Sequence, residues 1–384
     1  MDTIYQFLIG KMPEWLARVA SIAVPVGLIL AVYPGLFAFI TWMERKALGR
    51  IQNRYGPNRV GPVGLFQPIA DGIKLLVKED IVPAAADKFV HFLAPVLIVV
   101  PAILVFAVVP VAPGSVPVNL GVGLLFVFAI STGAVLALFM GGWASRNKFS
   151  LIGAMRSVAQ VVSYEVPMVL AAVAVVMVVG SLSTVDIVES QRGWFGWHIF
   201  KPWGLVGFVL FVIGAMAESA RTPFDLPEAE SELVGGYHTE YSGFKFALFQ
   251  MGEYLASIGM AGITVTMFLG GYRGPGSDLP KIGVFISVGW FFAKLMAMIC
   301  LNIWIRGTWP RIRIDQLLTF AWKVLLPMAI LNIIAAGVWH FMVKAGHPGA
   351  AWAITVVWLL GWFLLLSKIN AGQGLEKRGY RFTS

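Results

Sequence analysis

The chain has 384 residues, 58% of them hydrophobic and 13% charged, with a mean hydropathy of +0.79 and a formal net charge of +9. A soluble protein of this length would divide into two or three domains, yet apolar runs of about 17 or more residues recur along nearly the whole sequence. Roughly 20 such residues span a bilayer, so soluble and disordered classes are excluded. An all-α fold is expected, a polytopic membrane helix bundle forming a single membrane domain over residues 1–384.

About nine transmembrane helices are predicted, near 17–42, 91–111, 119–141, 160–180, 203–220, 246–270, 283–305, 321–343 and 351–368. The first run is too long for a signal peptide and continues into Thr41–Lys46 without a small-residue cleavage site, so it is read as a span. The following segment, 45–89, holds a different kind of helix. Leu65, Phe66, Ile69, Ile73, Leu76 and Val77 recur at helical spacing, Gln67, Asp71, Lys74 and Lys78 take the other faces, and Pro68 suits a first turn. At about 14 residues this helix is too short to cross a membrane. It is expected to lie along the interface or to pack on a partner, and in either case to form the lip of a lipophilic entrance.

Of the 29 lysines and arginines, 21 fall in 45–89, 145–159, 221–245, 306–323 and 368–384 and seven in the alternate segments, with Lys294 inside a span. The positive-inside rule puts the first set in the cytoplasm, or in the matrix if the protein is organellar, the N-terminus outside and the C-terminus inside. The positive charge is therefore a topology signal that also suits anionic membrane lipid or a docked partner, and no nucleic acid is expected as a partner.

Cofactor chemistry is sparse in the sequence. The single cysteine, Cys300, cannot hold an iron–sulfur cluster and is read as a small core residue. The five histidines fall at span ends or in loops, and neither a Walker-type loop nor a dinucleotide fingerprint is present. No cofactor is expected to be bound by this chain.

Acids carry the functional signal. Seven of the twenty lie between Glu218 and Glu253, and carboxylates at hydrocarbon depth are costly and commonly handle protons or cations. In the loop 221–245, Asp225 precedes Glu228 by three residues with Pro227 between, which resembles a helix start whose acids complement the N-terminus. Glu228 and Glu232, however, would share one helix face and repel, which favours a functional role. Glu44, Glu165, Glu218 and Glu253 are expected at similar depth beside that loop, where carboxylates in low dielectric share protons. Such a row would make a proton relay, and for any one of them a hydrogen-bonded structural glutamate is the alternative. Lys294 is expected to pair with a carboxylate or face a hydrated cavity. Arg306, Arg311 and Arg313 are read as topology, lipid or subunit contacts. Arg45 and Arg54 could instead line a polar entrance.

Several long stretches resemble one family. These are Glu44-Arg45-Lys46, Gly56 through Pro62, Gly64 through Leu75, Ser163-Tyr164-Glu165, Ala217 through Asp225, Glu228 through Tyr254, and Arg306 through Leu317. They are similar to the NuoH-type membrane subunit (the quinone-tunnel subunit) of respiratory complex I, NADH:quinone oxidoreductase, in order from about residue 15 to 343. The resemblance implies a subunit of the proton-translocating enzyme in the cell inner membrane, forming much of the quinone tunnel and not catalytic on its own. Quinone would be the substrate. FMN and iron–sulfur clusters would sit on partner subunits, which comprise hydrophilic quinone-site subunits and antiporter-like membrane subunits. By position, Glu165, Glu218, Glu228, Glu232 and Glu253 match the family's proton path, and Arg45, Phe66, Arg221, Phe224 and Asp225 match tunnel or tunnel-adjacent positions. Residues 45–89 would then be the loop through which quinone enters, and 221–245 an acidic coupling loop. The chain departs from many members at its end, where 351–368 reads as a ninth span. The rival readings are the equivalent subunit of a membrane-bound hydrogenase or deazaflavin-type dehydrogenase, and a stand-alone cation antiporter.

Overall fold

The computed structural model describes residues 13–193, 196–227, 233–277, 279 and 282–372, with side chains described up to residue 364 in the last helix. Among the described residues every regular element is helical. The expected acids Glu228 and Glu232 lie outside the described residues.

Helix α1 (Glu14–Ile51) has 38 residues, or about 57 Å at 1.5 Å per residue, well beyond the thickness of a bilayer core. It therefore carries Glu44, Arg45, Lys46 and Arg50 on a helical extension, where an irregular loop had been expected from residue 45. The chain then doubles back closely. A Cβ on Gly49 would lie 2.9 Å from the Gly56 nitrogen, and one on Gly56 2.9 Å from the Lys46 Cα, so two glycines make this turn possible.

Helix α2 (Gln67–Val77) has Pro68 in its first turn and no buried residue, with Ile69, Ile73 and Leu76 all exposed. Eleven residues with an uncovered apolar stripe make it an interfacial helix, and it packs on α1 and on the later helix Gly243–Phe268. Helix α3 (Lys88–Leu104) is capped by Asp87 and followed by a 3-10 turn; α4 (Gly123–Ala144) follows. Helix α5 (Lys148–Val179) starts at the Asn147 cap and stops at Gly180, whose φ of 80° is the left-handed conformation glycine adopts freely at a helix end. It starts about a dozen residues ahead of the expected span 160–180, at the Asn147 cap, and at Gly153 the backbone of Gly236 and Tyr237 approaches closely.

The short α6 (Thr184–Glu189) precedes α7 (Pro202–Glu218), and α8 (Gly243–Phe268), α9 (Gly283–Thr308), α10 (Ile314–Phe320), α11 (Leu326–Lys344) and α12 (Pro348–Gly372) complete the chain. A π turn, Ala321–Leu325, joins α10 to α11 in one apolar stretch.

Six of these stretches are long and apolar enough to cross a membrane: α1, α3 with its turn, α4, α5, α9, and α10 through α11. Helix α7 and residues 348–364 are apolar but shorter, and α8 carries Lys245 and Glu253 along its 26 residues. The molecule is a polytopic membrane bundle. Its core gathers on α5, α7 and α8, where Tyr164, Phe211 and Phe268 are fully buried. A second cluster of Ala94, Ile98, Ala137, Leu138, Ala154, Tyr237 and Phe249 joins α3, α4 and α5 to the loop before α8.

Candidate functional site

The polar side chains collect on the face where α1, α4, α7 and α9 end and α3, α5, α8 and α10 begin, called here the loop-rich face. Charge first meets charge at the interfacial helix. Arg45 Nη1 donates to Asp71 Oδ2 at 2.5 Å, and Gln67 and Lys74 lie 3.2 and 3.5 Å from Asp71 Oδ1. Partial burial raises the Asp71 pKa, but the hydrogen bonds from Arg45 and Gln67 and the charges of Arg45 and Lys74 outweigh it, holding the carboxyl below its usual range. This pair sits at a cavity of about 380 Å3 bounded by Phe37 and Thr41 of α1, Pro68 and Leu75 of α2, and Phe244, Met251 and Tyr254 of α8. The walls are largely apolar, and the polar groups are few.

Tyr254 also lines a second cavity, of about 30 Å3, together with Glu44, Arg221, Asn302 and Arg306. The Arg221 guanidinium stacks 3.6 Å from the Tyr254 ring centroid, a cation–π contact that also orients the arginine. Glu44, 6% exposed, is paired with Arg306 across 262 positions of sequence. Arg221 Nη2 and Asn302 Oδ1 are sealed from solvent with no hydrogen-bond partner among the described residues. Ile40, Ile258, Ile299 and Ile303 complete its walls, and a cavity of this size has room for about two waters against the polar groups.

Deeper in the bundle, Thr132 Oγ1 of α4 donates to Glu165 Oε1 of α5 at 2.8 Å. Glu218, at the end of α7, lies within reach of the Ser131 hydroxyl and of the Glu165 charge. Its Oε2 is buried and accepts no hydrogen bond among the described residues. The fold thus brings together Glu165 and Glu218, two carboxylates 53 positions apart on separate helices. Glu253, 7% exposed, is engaged by Tyr237, whose hydroxyl donates to its Oε1 at 2.5 Å. Glu44 is likewise occupied by an arginine instead of a carboxylate neighbour.

The remaining expected residues divide. Asp225 accepts from Arg311 Nη2 at 2.9 Å, and Arg311, like Arg306, makes an intramolecular bond where lipid or subunit contacts had been expected. Phe224 is buried against Tyr164, at 5.2 Å between ring centroids, and lines neither cavity. Phe66 precedes α2, is half exposed, and also lines neither. Sequence reasoning passed over Tyr237, Tyr254, Thr132 and Asn302, which are ordinary residues in apolar helices or loops. Only the adjacency of Glu253 and Tyr254 carried any signal.

Lys294 behaves differently from expectation. Its ammonium donates to the carbonyls of Leu269, Gly271 and Arg273 at 2.6, 3.0 and 2.5 Å and sits 4.0 Å over the Trp197 ring, with no carboxylate partner among the described residues. Backbone acceptors at the end of α8 satisfy it. Nearby, Glu189 takes hydrogen bonds from Arg273, Tyr272 and Arg192. Burial acts to raise its pKa, but those bonds carry it down to about 2. Cys300 is exposed on α9, where a core position had been expected. Among the described residues no three His, Cys, Asp or Glu side chains converge as a metal site.

The fold and these side chains define a class: a polytopic helical membrane protein with two neighbouring carboxylates on its helices and an apolar cavity beside an interfacial helix. The profile of the NADH dehydrogenase family matches residues 24–337. The chain is 47% identical over 331 residues to the H-type NADH-quinone oxidoreductase subunit of Brevibacillus brevis, covering 86% of this chain and 96% of that protein. It is 43% identical over 354 residues to that of Dehalococcoides mccartyi strain CBDB1 (92% and 96% covered) and 48% identical over 328 residues to NADH-quinone oxidoreductase subunit 8 of Thermus thermophilus (83% and 85%). The chain belongs to the NADH dehydrogenase family, alongside these membrane-enzyme subunits.

Proposed function

We infer that this chain is a membrane subunit of a proton-translocating NADH:quinone oxidoreductase, guiding quinone from the bilayer and relaying the charge change of its reduction to pumping subunits. The observation that carries the reading is the cavity of about 380 Å3 between α1, α2 and α8. An isoprenoid tail suits walls of Phe37, Leu75, Phe244 and Met251, and the Arg45–Asp71 pair at the lip suits a polar headgroup passing inward. Tyr254 is common to this cavity and to the one holding Arg221 and Glu44, so the two lie in series.

FMN and iron–sulfur clusters on hydrophilic partner subunits would supply the electrons for quinone reduction, and the protons that it consumes would be drawn near Arg221 and Asp225. The altered field shifts the protonation of Glu218, which passes to its neighbour Glu165 and, with Glu253 and the loop acids Glu228 and Glu232, toward the antiporter-like subunits. The expected orientation places the loop-rich face in the cytoplasm, the N-terminus outside, and the chain in the cell inner membrane among lipid. The names of the relatives favour this enzyme over a hydrogenase-type complex or a lone antiporter.

The test is Glu218→Gln in the assembled complex. Coupled quinone reductase activity and proton pumping should both fall by about 100-fold, the lower range for loss of a proton-transfer group. Normal pumping in a fully assembled variant overturns the relay.

A further inference from the structure

On the side of the bundle opposite the loop-rich face, a cavity of about 310 Å3 lies between the segment before α7, the loop after α8 and the first turns of α9. It shares no residue with the two cavities that meet at Tyr254. Trp197, Phe200, Pro275 and Trp290 make its apolar walls, and Arg273 and Ser277 supply polar groups. Trp197 and Phe200 stack at 5.8 Å between ring centroids, and Trp290 Nε1 donates to the Pro275 carbonyl at 3.0 Å, so rings and loop hold one another in place. Trp290 comes seven residues after Gly283, the first of α9, which is about 10 Å along the helix. Tryptophan gathers near such depths, where headgroups meet hydrocarbon.

The cavity is ringed by cations on the side where the sequence makes them scarce. Four of the few lysines and arginines placed off the loop-rich side belong to this neighbourhood. Arg273 is in the wall, Arg192 and Lys201 adjoin the wall residues Gly193 and Phe200 in the chain, and Lys294 lies 4.0 and 6.0 Å from the Trp197 and Trp290 rings. Glu189 accepts from both Arg192 and Arg273, so one carboxylate offsets two guanidiniums. Asp186 offsets Lys201 in the sum, and Lys294 is met by carbonyls and rings. Asp278 and Lys281 lie outside the described residues, and their formal charges cancel. A net positive charge is left beside an apolar-walled hole of small-ligand size. Along α9 from the cavity, Phe285, Gly289, Ala293 and Ala297 recur every four residues and are all exposed, within an arc of about 120°. A Cβ on Gly289 would meet nothing within 4 Å. Small residues after Phe285 thus leave a shallow apolar furrow leading from the cavity to hydrocarbon depth.

We propose that this cavity binds the headgroup of an anionic phospholipid from the leaflet opposite the loop-rich face, its phosphate against Arg273 and an acyl chain in the furrow of α9. A guanidinium has five N–H donors in a planar fork and can hold a carboxylate and a phosphate together. The indoles and Phe200 suit the glycerol region, where one end of the ligand is apolar and the other wet. A zwitterionic lipid brings an ammonium that the same cations repel, and a free anion would leave walls and furrow unfilled. Bound there, the lipid ties the segment before α7 to the loop after α8. The proposal requires only that the bundle sits in a bilayer, so it stands apart from the quinone and proton readings.

The test is photo-labelling of the whole enzyme complex in phosphatidylcholine vesicles that carry a trace of phosphatidylglycerol with a photoreactive group on one acyl chain. A phosphatidylcholine bearing the same group is the control, and mass spectrometry reads the label on residues 196–201 and 282–297. One cation near a membrane surface is worth about fivefold in affinity for an anionic lipid. Phosphatidylglycerol should therefore label these residues at least fivefold more than the control. Arg273→Gln should lower that excess by about fivefold. If that variant does not assemble, Phe200→Glu and Phe200→Gln decide, since they differ in charge and hardly in size: Glu should lower the label by about fivefold relative to Gln. Equal labelling by the two lipids in the unmodified complex overturns the site, as does an unchanged excess in Arg273→Gln or equal labelling in the Phe200 pair. Label displaced by inorganic phosphate would assign the cavity to a free anion, and absence of label with these residues covered by another subunit would assign it to protein; either overturns the lipid.

Discussion

Replacing Lys294 with Met should loosen the end of α8 while leaving the enzyme's turnover intact. The ammonium holds three carbonyls, at 2.6, 3.0 and 2.5 Å, and a hydrogen bond to a charged group contributes about 1.5–3 kcal/mol. Three such bonds contribute about 4–9 kcal/mol in gross terms, and the contact with Trp197 adds about 1 kcal/mol. Against this stands the cost of taking an ammonium out of water, several kcal/mol. The net loss on substitution is then about 2–4 kcal/mol, because methionine fills the space and donates nothing. If that loss is local, hydrogen exchange at residues 269–274 should quicken by about 30- to 700-fold, read by mass spectrometry on the assembled complex. Quinone reductase and pumping rates per assembled complex should not change. Unaltered exchange would refute the assignment of Lys294 as a carbonyl clasp. Lost pumping in a stably assembled variant would restore its candidacy as a transport group.

Gly153→Ala should destabilise the complex by about 1–3 kcal/mol, the usual cost of overpacking, since the added methyl meets Tyr237 and Gly236 backbone at 2.8–2.9 Å. Thermal inactivation checks it, with Gly27→Ala as the control, where nothing lies within 4 Å. His198 is buried on the side opposite the loop-rich face, with Nδ1 2.8 Å from the Met267 carbonyl; burial first, and then the charge of Lys201, push its pKa from the ordinary 6.5 down to about 3. Between those values the opened segment binds a proton that the closed one does not, so its stabilising contribution is complete above about 6.5 and declines as pH falls toward 3. Divided by the intrinsic amide rate at each pH, opening at residues 196–201 should rise from pH 7.5 to 5 in the parent and not in His198→Gln. Identical slopes would remove the histidine from the account.

What the sequence made legible were the features written in local periodicity. The bundle, and the interfacial helix with Pro68 in its first turn, follow from apolar spacing alone. Glu165 and Glu218 stood out because carboxylates are rare in such runs. Partnerships were not legible. Glu44 and Arg306 are far apart in the chain, and Arg306 in sequence looks like any basic residue at a helix end. Lys294 misled because sequence displays side-chain acceptors and hides backbone ones; an intramembrane lysine invites a search for an acid when three carbonyls suffice. Helix lengths also escaped, since α1 continues through charged residues that compositional reasoning assigns to a loop.

Arg306 and Arg311 sit five positions apart, yet they fasten different parts of the molecule: one grips the lower end of α1 at Glu44, the other the turn after α7 at Asp225. Ile312 adds a backbone tie to Pro223 in the same turn. The last turn of α9 and the short linker after it therefore work as a yoke between α1, which walls the larger apolar cavity, and the strap that follows Glu218. A tilt of α1 must either strain that yoke or carry it along, and in the second case the turn that follows Glu218 moves with it.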